Sequence, residues 1–106
     1  MNYDHVNLGR VQREMARWRI LMALQVSSPI AVTEELLSAI VADLRLPITR
    51  EGVRRELEYL EDKKLLTIAN RDTARAWEAH LTAHGVDVVE YAVPSPDGIG
   101  RPPLPR

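Results

Sequence analysis

The chain contains no cysteine and no phenylalanine. The first absence excludes disulfide bonds and thiolate metal sites. The second leaves two tryptophans, three tyrosines and the aliphatic residues to fill a core. No apolar run approaches the about eighteen residues that a membrane-crossing helix needs. The opening residues, MNYDHVNLGR, lack the basic-then-apolar order of a secretion signal. A soluble, cytoplasmic protein with no membrane partner is expected. A surplus of one charge is missing too: 14 Lys and Arg stand against 15 Asp and Glu, for a net charge of -1. That balance gives little non-specific attraction to polyanions.

What is present suits one small domain of 106 residues with 45% hydrophobic content. The first helix is predicted from about Leu8 to Gln25. Leu8, Val11, Met15, Trp18 and Met22 recur at the three- and four-residue spacing of one helical face. From Ile20 to Leu24 the helix is apolar on every side, as in a segment buried from several directions or reaching into a dimer contact. Ser27, Ser28 and Pro29 end it, because Pro29 cannot continue a helix and biases Ser28 toward extended backbone. Ile30 to Val32 is short and β-branched, suiting a small strand.

Thr33 is a good N-cap, with Glu34 and Glu35 placed against the positive end of the helix dipole. Leu36, Leu37, Ile40, Val41 and Leu44 form the buried stripe of this second helix, and Pro47 stops it. Thr49 caps a third helix in which Val53, Leu57 and Leu60 face inward. Gly52 weakens that helix by up to about 1 kcal/mol relative to Ala, which points to close packing against the preceding helix or another molecule. Period-two alternation on both sides of NRDT, in Leu66 and Ile68 and then in Trp77, Ala79 and Leu81, predicts a short hairpin with one buried face. Thr82 caps a last helix expected to reach Val93, with Val86, Val89 and Val93 inward. Residues 94–106 hold five of the seven prolines and two of the five glycines, as in a flexible, extended tail. The expected organisation is a domain over 1–93 and a proline-rich tail over 94–106.

Helix, tight turn, helix and hairpin make the layout of an α+β winged helix-turn-helix: a three-helix core, a short hairpin wing and a C-terminal helix. The run VTEELLSAIVADLRLPITREGVRRELEYLEDKKLLTI, followed by WEAHLTAHGVDVVE, resembles winged-helix regulators of the ArsR, MarR and PadR type. Leu57, Leu60, Glu61, Leu65 and Leu66 match the segment that leads those families into the wing. Leu81, Thr82 and Gly85 match the segment that leaves it. The chain over roughly 8–105, with its RPPLPR tail, is also similar to small winged-helix proteins of Mu-like transposable phages and prophages. The resemblance implies a phage or prophage origin, and a role in transcriptional or phage genome control is expected. Without cysteine, it does not extend to metal sensing. It also departs where Lys64 replaces the family's glycine before the wing.

The sharpest functional expectation is binding to double-stranded DNA through the third helix. Arg50, Arg54 and Arg55 lie in its N-terminal half; arginine binds guanine O6 and N7 bidentately, and Glu51 can accept from cytosine N4. Thr49 and the free N–H groups at the helix start can hold a phosphate. Arg71 and Arg75, at the hairpin, can reach the adjacent backbone or minor groove. A homodimer through the first and last helices would present two such helices about one DNA turn apart.

The competing reading is a solvated face held by pairs such as Arg54–Glu58, on a module that binds protein rather than DNA. Glu51, Glu58 and Asp62 lie nearly opposite the core stripe and repel phosphate. Arg10, Arg13 and Arg17 share one side of the first helix, most simply a solvent-facing surface. His80 and His84 have metal-ligand spacing, but Thr82 divides them between strand and helix. No nucleophile elbow, phosphate loop or dinucleotide-binding turn occurs, so neither enzymatic chemistry nor a cofactor is expected. The PxxP run from Pro102 to Pro105 suits a tether or a partner-binding arm.

Overall fold

The computed structural model describes residues 3–105. Among them four helices and three short strands follow in the order α1 (Tyr3–Ser27), β1 (Val32–Thr33), α2 (Glu34–Asp43), α3 (Arg50–Asp62), β2 (Leu66–Ala69), β3 (Glu78–Leu81) and α4 (Ala83–Val89). The fold is α+β.

Threonine starts three of the helices in the same way. Thr33, Thr49 and Thr82 have extended backbone, and each side-chain oxygen accepts from the N–H three residues on, in Leu36, Gly52 and Gly85. Each hydroxyl satisfies a donor that the first helical turn leaves without a partner. The same three helices also share one kind of ending. Arg45, Lys64 and Tyr91 take positive φ of 58°, 66° and 61°. The following N–H then bonds back five residues, Leu46 to Val41, Leu65 to Leu60 and Ala92 to Asp87. This is the Schellman closure, with a non-glycine residue in the left-handed position each time. Lys64, where the resembled families carry glycine, therefore has the backbone that glycine prefers.

The strands form an antiparallel sheet in the order β1-β3-β2. The hairpin pairs Leu66 with Leu81 and Ile68 with Ala79, and β1 adds Val32 opposite Ala79. Ala79 is buried at the centre of this sheet. Leu21 and Leu24 of α1, Leu37 and Val41 of α2, Val53, Leu57 and Leu60 of α3, and Val88 of α4 share one core with Leu65 and Leu66.

Several expectations are corrected. The covered line of α1 contains Ala16, Ile20 and Leu24, with Trp18 and Leu21 beside it. Of the apolar stripe read from spacing only Trp18 is buried; Leu8, Val11, Met15 and Met22 are 36% to 55% exposed. Spacing found a real apolar line, but a neighbouring line is the one the domain covers. Leu36 of α2 and Leu44, its C-cap, are likewise exposed. β1 is Val32–Thr33 rather than Ile30 to Val32. α4 ends at Val89, four residues early, because Tyr91 turns left-handed and closes it.

The proline-rich segment has no helix or strand, yet it is docked rather than free. Ile99 is buried. Gly100 donates to the Glu14 carbonyl at 2.9 Å, Arg17 to the Gly98 carbonyl at 2.9 Å and the Tyr59 hydroxyl to the Asp97 carbonyl at 3.0 Å. Arg101 donates to the carbonyls of Val88 at 3.0 Å and Val93 at 2.8 Å. Gly98 has φ +86°, and a Cβ there would lie 2.0 Å from the Tyr59 hydroxyl. Residues 97–102 thus strap α1, α3 and the end of α4 together. No helix among the described residues is long and apolar enough to cross a membrane.

Candidate nucleic-acid interface

Of the residues expected to meet DNA, Arg50, Arg54 and Arg71 come together around Glu34 and Trp77, a carboxylate that sequence reasoning placed only as a helix-dipole charge and an indole beside it. Glu34 follows the Thr33 cap, and its side chain is 0% exposed. Its backbone N–H donates to the Trp77 carbonyl at 2.8 Å, and its Oε1 accepts from the Trp77 N–H at 3.0 Å. Arg54 closes the other side, with Nε at 2.5 Å from Oε2 and Nη2 at 2.6 Å from Oε1. This is the bidentate geometry in which a guanidinium holds a carboxylate most strongly. The Arg54 guanidinium also lies 4.4 Å from the Trp77 ring centroid, and that of Arg71 lies 4.9 Å from it. The Arg54 hydrogen bonds, joined by the Trp77 N–H and outweighing the cost of burial, hold the Glu34 carboxyl down at about 2. Glu34 in turn raises the pKa of Arg54.

This clasp engages several of the residues expected to meet DNA. Arg54 ties α3 to α2. Arg71 bonds Glu58 at 2.8 Å and Glu61 at 2.6 Å, fastening the hairpin to α3. Glu61 also accepts from the Ile68 N–H at 3.1 Å. Arg50 stands 3.7 Å from Glu34 and 3.6 Å from Glu35 and keeps over half of its side chain exposed. The Thr49 hydroxyl is used by the Gly52 N–H. Glu51, Arg55 and Arg75 are exposed, and none has an ion-pair partner among the described residues. Arg55 borders a cleft of about 430 Å³ whose walls include Arg13, Gln12 and Thr49. Gly52 sits in the same wall, where an added Cβ would meet the Ile48 side chain at 2.8 Å. The close approach inferred from this glycine is thus to the turn between α2 and α3.

The arginine series on α1 also divides. Arg17 points inward, bonding Glu56 at 2.6 Å and lying 3.7 Å over the Tyr59 ring. Arg10 is 4.0 Å from Glu14, at the limit of a weak exposed pair. Arg13 is exposed and without an ion pair among the described residues. His80 lies on β3, 3.0 Å from the Thr67 hydroxyl, and His84 lies on α4, so the cap at Thr82 separates them as expected.

Sequence reasoning missed Glu34, Glu56 and Trp77 as organising residues. Their partners lie far away in the chain: Arg54 is 20 residues from Glu34, Trp77 is 43 from it, and Arg17 is 39 from Glu56. Helical spacing carries no signal over such distances. A glutamate directly after a capping threonine, in a chain with few tryptophans, was the available hint. Comparison of the chain with protein-family models, with curated proteins and with solved structures finds no match.

Proposed function

We propose that this chain is a winged helix-turn-helix domain of the kind found in Mu-like phages and prophages. On this reading it binds double-stranded DNA in the cytoplasm and regulates transcription. α3 enters the major groove, and the β2–β3 hairpin is the wing. The observation that carries this reading is the pair of exposed arginines without ion-pair partners, Arg55 on α3 and Arg75 in the hairpin loop. They stand on the two elements such a domain brings to a duplex. Arg50 joins them by leaving its distant carboxylates for phosphate. On this reading Arg54 holds α3 against α2, and Arg71 holds the hairpin against α3.

The reading is tested by electrophoretic mobility of the full chain with duplex from upstream of its own gene, beside random duplex. Binding should favour the upstream duplex and weaken steeply with salt, as released counterions require. Arg55→Ala and Arg75→Ala together should weaken it about tenfold or more, each lost contact being worth about 1 kcal/mol. Unchanged affinity in that double variant would remove both residues from the interface.

One observation favours a second reading, a winged-helix module that binds protein. The outward line of α3 is Glu51, Arg55, Glu58 and Asp62, three anions to one cation. An absence of duplex binding even at about 50 mM salt, where phosphate contacts are strongest, would move the function to that reading.

A further inference from the structure

Beyond DNA binding, and independently of it, we infer that the groove between α1 and α2 is the contact by which two copies of this chain form a dimer. Three observations meet there.

The first is an apolar line with no cover. Leu8, Val11, Met15, Met22 and Val26 follow helical spacing along α1, and all five are exposed. Val26 is 86% exposed, the most of any large apolar side chain among the described residues. A periodic stripe of this kind is the mark of a face that something covers.

The second is a depression beside that line. Met22 and Val26 of α1, Ile40 of α2 and its C-cap Leu44 line an open groove of about 620 Å³. Val26 both lines this hollow and projects from it. Two copies related by a two-fold axis can each place the projection in the other's hollow.

The third is charge. Arg19 and Asp43 flank the groove, one on each helix. Both are exposed, and neither has an ion-pair partner among the described residues. A two-fold contact is self-complementary: what residue i meets, residue j meets in return. Arg19 of each copy then faces Asp43 of the other, and both charges are answered twice. A partner bearing one sign of charge would leave one of them unanswered, so the groove fits a second copy best.

This moves the dimer contact expected from sequence. α1 remains in it, but α4 does not take part. Val88 and Val89 are buried within their own chain, and no large apolar side chain of α4 is exposed.

Sedimentation equilibrium of the full chain without DNA tests the inference. A dimer with Kd of about 10 µM or tighter is expected, as for a small specific interface. Val26→Glu should weaken it at least about tenfold, since it puts a charge into a desolvated contact. Its exposure in the monomer leaves folding intact, which circular dichroism checks. Arg19→Glu and Asp43→Arg should each weaken the dimer about threefold to tenfold, and the double reversal should recover it. A monomer at about 100 µM would overturn the inference, that being tenfold above the expected Kd. So would a dimer indifferent to Val26→Glu, or single reversals that the double variant does not rescue.

Discussion

A carboxylate with no exposed surface keeps its charge only while a cation stays beside it. Glu34 is in that position, held by Arg54 and the Trp77 N–H. Glu34→Ala should therefore cost about 1–3 kcal/mol, because it leaves the buried Trp77 N–H without its acceptor. Urea unfolding measures it. The same pair sets a pH dependence. The folded carboxyl sits at about 2 against an ordinary value of 4.5. Its stabilisation is complete above the ordinary value and drains away as pH falls from there toward about 2. Unfolding free energies measured across that range should fall with acid, and Glu34→Gln should flatten the fall. At Lys64 the opposite sign is expected. An exposed lysine in left-handed backbone is strained, so Lys64→Gly should stabilise by about 0.5–1 kcal/mol, seen as a higher unfolding midpoint. Sequence marked Lys64 as unusual only through the family glycine it replaces. Glu34 was visible merely as a first-turn acid, since its partners are remote in sequence.

Helix starts were readable because a cap is a local event. Thr33, Thr49 and Thr82 each needed only the residue three ahead to confirm them. Helix ends were less readable, because the left-handed residues at Arg45, Lys64 and Tyr91 are not glycine and give no warning. α4 was drawn too long for that reason. The α1 stripe failed differently: periodicity marks an apolar face without saying whether its own chain covers it. At the join between β3 and α4 the geometry is tight. Thr82 donates its N–H to the Leu65 carbonyl at 3.1 Å and its hydroxyl to the Lys64 carbonyl at 2.6 Å. A Cβ on Gly85 would lie 2.0 Å from the Leu65 oxygen. Gly85→Ala should thus push α4 off the hairpin, costing about 1–3 kcal/mol as overpacking does. A thermal melt showing no loss would mean that α4 can shift without strain.

For the molecule as a whole, the proline-rich strap was the least legible part. Composition reads its prolines as freedom, while the structure uses them to lay an extended chain over three helices. Its contacts reach across the sequence, with Gly98 bonded to Arg17 over 81 residues. Ile99→Ala should cost about 2 kcal/mol or more, as loss of a buried aliphatic side chain does, and calorimetry reads it as a lower midpoint. No change would mean that the strap adds nothing to stability. The scarcity of aromatic residues has a further use here. Trp77 is in the Glu34–Arg54 clasp, whereas Trp18 meets Tyr91 edge-on, with ring centroids 6.0 Å apart, close to the end of α4. With no third indole in the chain, the two emit from two separate contacts. Single-tryptophan variants would report the opening of the hairpin and the lifting of the strap as separate red shifts, with no label attached.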